Sequence, residues 1–88
     1  MSSIKLLGAQ EACGINVGAA STFSSAPNVR LWNSGATARV VTVANAADTT
    51  LATISLDTKA TLILAKSPTD QIFAAHADIL GVGCITEN

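Results

Sequence analysis

The sequence predicts an all-β fold: a small antiparallel β-sandwich or barrel of about six to seven short strands behind a Gly/Ala/Ser-rich N-terminal arm. Three observations carry this. Between Val29 and Lys66 lie four runs rich in β-branched and aliphatic residues: VRLWNS, ARVVTV, TLATISL and ATLILAK. They are separated by Asn33-Ser34-Gly35, Asn45-Ala46-Ala47-Asp48 and Asp57-Thr58-Lys59. Gly, Asn and Asp supply the positive φ or the local side-chain hydrogen bond that a tight connection needs. The spacing reads as an antiparallel meander. A single domain is expected, with residues 1–27 as first strand and extended arm and residues 28–88 as the β-sandwich.

Taken in order, Ile4 to Leu7 reads as a short first strand with Lys5 facing solvent. Gly8 to Pro27 (GAQEACGINVGAASTFSSAP) has no clear period, apart from a weak alternation at Ile15 and Val17 that suggests a strand. The remainder of that segment reads as an extended arm or a long surface loop; as an arm reaching a neighbour, its residues Ser2 to Ser21 are expected to be removable with the domain still folded. Pro27 pushes Ala26 out of helical geometry and leads into Val29–Asn33. There Val29 and Leu31 share one face, and Arg30 and Trp32 the other. The Asn33-Ser34-Gly35 turn is expected to send the chain straight back along Ala38 to Ala44. In Leu51 to Leu56 the alternation points Ala52, Ile54 and Leu56 inward and Thr53 and Ser55 outward. Ala60 to Ala65 is apolar on both faces, as in a strand central in its sheet or covered by a partner. After Pro68, Asp70 and the spacing of Ile72, Phe73, His76, Ile79 and Leu80 permit a helix. A strand over Gln71–Ala75, a turn through His76–Asp78 and a last strand over Gly81–Thr86 is the preferred reading.

Composition narrows the function. The chain has 88 residues, 49% of them hydrophobic but only 3% aromatic, and 12% charged. An Ala- and Val-rich core yields little burial energy per residue, and so short a chain buries only about 60% of its unfolded surface. So few charges suit a surface covered by other subunits. Five basic residues are scattered and offset by six acids, for a net charge of −1. Nucleic-acid binders cluster their basic residues, so no nucleic-acid partner is expected. The apolar runs are far short of the roughly 20 residues that span a bilayer, so no membrane partner is expected either. The first residues carry no sustained apolar stretch, so synthesis in a reducing cytosol is the default and Cys13 and Cys84 read as free thiols and small buried hydrophobes, with a late disulfide in an oxidised particle as the alternative.

Catalytic, cofactor and metal sites are not expected. His76 with Ser67, Asp70 and Asp78 has the residue types of a nucleophile, base and orienting acid, but nothing makes them converge, and a loop histidine is the simpler reading. Two isolated cysteines do not make a zinc site, and the scattered turn aspartates do not make a calcium loop. Gly81-Val82-Gly83 lacks the lysine and following helix of a phosphate cradle. No enzyme and no small-molecule substrate is therefore expected. Candidate interface residues are Ile15, Val17, Phe23, Arg30, Trp32 and Arg39, with Trp32 equally suited to be the main core ring.

The order of pieces resembles the small virion proteins of tailed bacteriophages, especially those of cyanobacterial phages. A Ser/Ala-rich lead ends near Pro27 and precedes Val29-Arg30-Leu31-Trp32-Asn33. An Ala/Thr/Val-rich strand, the turn Asp48-Thr49-Thr50, the strand Leu51–Leu56 and the run Ala60–Lys66 follow. The segment Lys66-Ser67-Pro68-Thr69-Asp70 then resembles that family's Lys-x-Pro-Thr/Ser-Asp segment. The resemblance covers roughly Ala20 to Thr86. It implies a compact β domain in a virion: a capsid decoration or cement protein made in the host cytoplasm, carried on the capsid surface, and partnered by the major capsid protein or copies of itself. A neck, tail or tail-fibre component is the alternative, and a small host-targeted binding module a third.

Overall fold

The computed structural model describes the backbone of residues 3–87 and the side chains of residues 4–85; Met1, Ser2 and Asn88, which fall in the expected arm and domain, lie outside the described residues. Among the described residues, eight strands form two antiparallel sheets: β1 (Ser3–Leu6), β2 (Glu11–Ala12), β3 (Asn28–Asn33), β4 (Arg39–Ala44), β5 (Thr50–Leu56), β6 (Thr61–Ala65), β7 (Gln71–Ala74) and β8 (Ile79–Glu87). The larger sheet runs β1-β8-β3-β6, with β2 also on β8; the smaller runs β5-β4-β7. The expected all-β sandwich is what the chain forms.

Its connectivity is not a meander. The expected turn at Asn33 does not return β4 alongside β3. Instead β3 pairs with β6 and β8, and β4 pairs with β5 and β7. Only β4 and β5 form a hairpin between sequence neighbours; the later connections cross from one sheet to the other. The physical reason at the first crossing is Asn33. Its side chain is fully buried, and its amide donates to the carbonyls of Thr37 (2.8 Å) and Leu56 (3.0 Å). Its Oδ1 accepts from the Gly35 N–H (2.9 Å), so the residue makes a corner rather than a hairpin loop. The β4–β5 turn is built locally by Asn45, whose Oδ1 accepts from the N–H groups of Ala47 (2.9 Å) and Thr49 (3.0 Å).

The core lies between the sheets. Val29 and Leu31 of β3, Val41 of β4, Leu56 of β5, Ile72 and Ala74 of β7 and Ile79 of β8 are all buried there. The alternation expected for β3 holds, with Val29, Leu31 and Asn33 inward. In β5 the expected direction agrees with the register, since Ile54 lies opposite core residue Val41. Yet Ile54 remains 45% exposed and only Leu56 is buried. β5 is an edge strand whose inward face is left partly uncovered. β6 is likewise an edge strand and not a central one. Residues 70–80 form β7, a turn and the start of β8, as the strand reading expected.

The N-terminal segment is part of this fold. β1 and β2 pair along one edge of β8 as a single interrupted strand, in the registers Leu6↔Cys84 and Ala12↔Leu80. The chain then crosses to the smaller sheet. Ser21 exchanges both backbone hydrogen bonds with Ile72 (3.1 and 2.8 Å), and the Ala74 N–H donates to the Gly14 carbonyl (2.9 Å). No strand forms at Ile15 and Val17; Val17–Ala19 is one 3₁₀ turn, closed by Asn16 Oδ1 accepting from the Ala19 N–H (3.1 Å). Phe23, Ser24 and Ser25 all adopt positive φ (50°, 63° and 53°), and this left-handed turn directs the Phe23 ring into the core. Gly81 and Gly83 of β8 provide the room. A Cβ at Gly83 would stand 2.2 Å from the Phe23 carbonyl oxygen, and one at Gly81 would stand 2.9 Å from its ring. The expected arm is thus packed along its described length: residues 3–26 supply an edge strand, cover β7 and place Phe23 in the core.

Candidate interaction surface

Strand register assigns the outward face of the larger sheet. In β3 the outward residues are Arg30 and Trp32, because Val29 and Leu31 face the core. Trp32 lies between Leu80 and Thr61, and Arg30 between Val82 and Ile63. Asn28 lies between Cys84 and Ala65, and Leu6 stands on the far side of Cys84. Ile4 shares the face of Leu6 by alternation. Three large aliphatic side chains on this face are exposed: Ile4 (39%), Leu6 (55%) and Ile63 (48%). Trp32 and Leu80 are half-buried beside them. Val82 and Cys84 are buried although the register points them away from the core. The face thus combines an aliphatic rim with a Trp ring and an arginine, Arg30, the last two being residue types enriched at interface hot spots.

The six expected interface residues separate. Arg30 and Trp32 come together on this face, and Trp32 is not the core ring. Phe23 is corrected to that role, since it is 3% exposed and packs inside. Arg39 sits at the end of the sandwich, its Nη2 3.6 Å from Asp78 Oδ2 and its Nε buried without a hydrogen-bond partner. Ile15 (60% exposed) and the half-buried Val17 lie on the crossing segment beside β7. Ile4, Leu6, Ile63 and Leu80 were missed. Their signal was the pairing of β1, β6 and β8 around β3, which local sequence does not contain.

Of the polar residues named above, Ser67 and Asp70 lie at one end of β7 and His76 and Asp78 at the other. Asp78 and His76 meet, and the Asp78 N–H donates to His76 Nδ1 (3.0 Å). Asp78 Oδ2 lies 3.3 Å from the same nitrogen, so the two side chains form a local turn contact at the end of β7. Ser67 and Asp70 form their own turn, the Ser67 N–H donating to Asp70 Oδ2 (3.2 Å), at the opposite end of β7 from His76. Among the described residues, no three His, Cys, Asp or Glu side chains are grouped to hold a metal ion.

Cys13 and Cys84 are free and buried. Cys13 follows β2, its N–H donating to the Ile79 carbonyl (2.8 Å), while Cys84 lies five positions further along β8. That separates them by about 17 Å along the strand, well beyond disulfide reach. Burial pushes the Cys13 thiol up to about 12, with the nearby Glu11 charge adding to it. Burial also raises Cys84, an effect that an Arg30 backbone hydrogen bond and the Arg30 charge partly offset. Burial draws Lys66 below its ordinary value, partly offset by Asp70.

Comparison with known protein families, curated proteins and solved structures returns no match.

Proposed function

We propose that this protein is a non-enzymatic structural component of a tailed-phage particle: a decoration protein that lays the outward face of its larger sheet across capsid subunits. The observation that carries this reading is the apolar face itself, with Ile4, Leu6 and Ile63 exposed around Trp32 and Arg30. The order of sequence pieces supports the same reading. Each contact of a small face is weak, and repetition over a shell makes the binding multivalent. The crossing segment with Ile15 and Val17 is a secondary contact at the side of the domain.

The test is to mix the purified protein with empty capsids of the phage that encodes it and to count the bound copies. Many copies per particle, lost in Trp32→Glu and Leu6→Asp variants that keep the wild-type circular dichroism, support the reading. A single ring's worth at one vertex would move the protein to the neck or tail. Absence from particles would favour a host-targeted module.

A further inference from the structure

We propose that β6 is a self-association edge, and that two copies join their larger sheets by pairing Thr61–Ala65 antiparallel about a two-fold axis through Ile63. The first observation is which backbone groups are free. The Lys66 N–H donates to the Pro27 carbonyl (2.8 Å) and the Asn33 N–H to the Ala60 carbonyl (3.1 Å). In this register Val29 pairs with Leu64 and Leu31 with Leu62. Antiparallel residues alternate between bonding one neighbour and the other, so Leu62 and Leu64 bond β3. Thr61, Ile63 and Ala65 then direct their N–H and C=O groups off the edge, where an incoming strand would meet them.

The second observation says which strand fits. Thr-Leu-Ile-Leu-Ala reads almost the same in both directions, small residue, Leu, Ile, Leu, small residue. A two-fold through Ile63 sets Thr61 opposite the other copy's Ala65 and Ile63 opposite its twin. It sets Leu62 opposite the other copy's Leu64. Ile63 is 48% exposed on the outward face, and Leu62 and Leu64 are half-buried against the core. Pairing covers all three at once, on both faces of the joined sheet. Such an interface is isologous, using the same patch on each subunit, and it closes at two.

The third observation is that the other edges are managed. β7 is covered by Gly14 and Ser21, the β1–β2 edge is broken at residues 7–10, and β5 is paired to β4 through an irregular register at Val43/Ala44. β6 itself carries no charge, no proline and no register shift, the devices that ordinarily keep an edge from pairing. Lys59 and Lys66 flank it, and the lysine amines are turned onto their own chain's carbonyls, that of Ser34 for Lys59 and those of Ser67 and Pro68 for Lys66.

This inference does not rest on the capsid reading, because it is read without capsids. Light scattering over a concentration series should show the mass rising from 8.9 kDa toward twice that value. Ile63→Pro removes an N–H that β3 does not use, and Ile63→Lys places a charge on the edge. Each should weaken dimerisation at least tenfold, while Ile54→Lys, a control on β5, should dimerise like the wild type. Ile63→Cys should form a dimer-spanning disulfide under mild oxidation, and Ile54→Cys should not. Wild-type protein that stays at 8.9 kDa throughout would overturn the proposal, as would Ile63 variants that dimerise unchanged. Should Ile63→Pro lose its far-ultraviolet circular dichroism, Ile63→Lys decides.

Discussion

The side-chain amide of Asn33 donates a 3.0 Å hydrogen bond to the carbonyl of Leu56, joining the end of β3 in one sheet to the end of β5 in the other. It is a buried bond, and the same side chain also satisfies Thr37 and Gly35. One residue thus fixes the corner where the chain leaves the larger sheet and the place where the second sheet is held against it.

Asn33→Ala should cost about 2–3 kcal/mol, because it strands a buried carbonyl as well as losing the bonds themselves. Asn33→Asp should cost at least as much at neutral pH, since an ionised carboxylate has no donor for the Leu56 and Thr37 carbonyls. Urea unfolding measures both. A loss below about 0.5 kcal/mol for Asn33→Ala, the range of ordinary surface changes, would refute this account of the corner.

The N-terminal segment should behave as part of the domain. Gly83→Ala forces a Cβ against the Phe23 carbonyl and should cost about 2–3 kcal/mol, a typical overpacking penalty where backbone must move. Gly81→Ala, which meets the movable Phe23 ring, should cost less. Removing residues 2–21 should abolish the cooperative thermal transition; a deletion that melts like the full chain would show that the segment is only attached.

The three left-handed residues at Phe23–Ser25 hold backbone that L-residues disfavour by about 1–2 kcal/mol each. Ser24 is exposed, so glycine there relieves this without disturbing packing. Ser24→Gly should raise stability by about 0.5–1 kcal/mol, the strain relieved less the entropy glycine regains on unfolding. A lower melting temperature for Ser24→Gly would contradict this.

Cys13 makes stability fall at alkaline pH. Its folded value lies near 12 against an ordinary 9.0, so between these limits the unfolded chain loses a proton that the native state keeps. Stability contributed by the protonated thiol is complete below pH 9.0 and declines by about 1.4 kcal/mol per pH unit above it. Cys13→Ala should flatten that slope. In the native protein the thiol should also resist a disulfide exchange reagent at pH 8 until denaturant is added.

Much of this was legible locally. β3 could be read from Val29-Arg30-Leu31-Trp32, because alternation reports which face is buried whatever the topology. Ile54 shows the limit: its direction follows from alternation, but its exposure depends on how far the opposite sheet extends. Ala60–Ala65, apolar on both faces, reads as a strand either central or covered by a partner, and composition does not separate the two; pairing places it at an edge. The meander failed at Asn33 because turn residues announce that the chain bends, not which sheet receives it. The outward face gave up only Arg30 and Trp32, since Ile4, Leu6, Ile63 and Leu80 join them through pairings between distant segments.

β8 stands in the middle of the larger sheet, yet it follows the other seven described strands in sequence. During synthesis, β1, β2 and β3 therefore leave the ribosome before the strand that bridges them exists. The larger sheet cannot close as β1 to β3 emerge, and its folding must await β8 and then gather contacts far apart in sequence, a slow route by topology. Until then the apolar β3 and β6 are exposed together in an incomplete sheet. Nascent chains stalled ahead of Ile79 should accordingly be the natural clients of a holding chaperone.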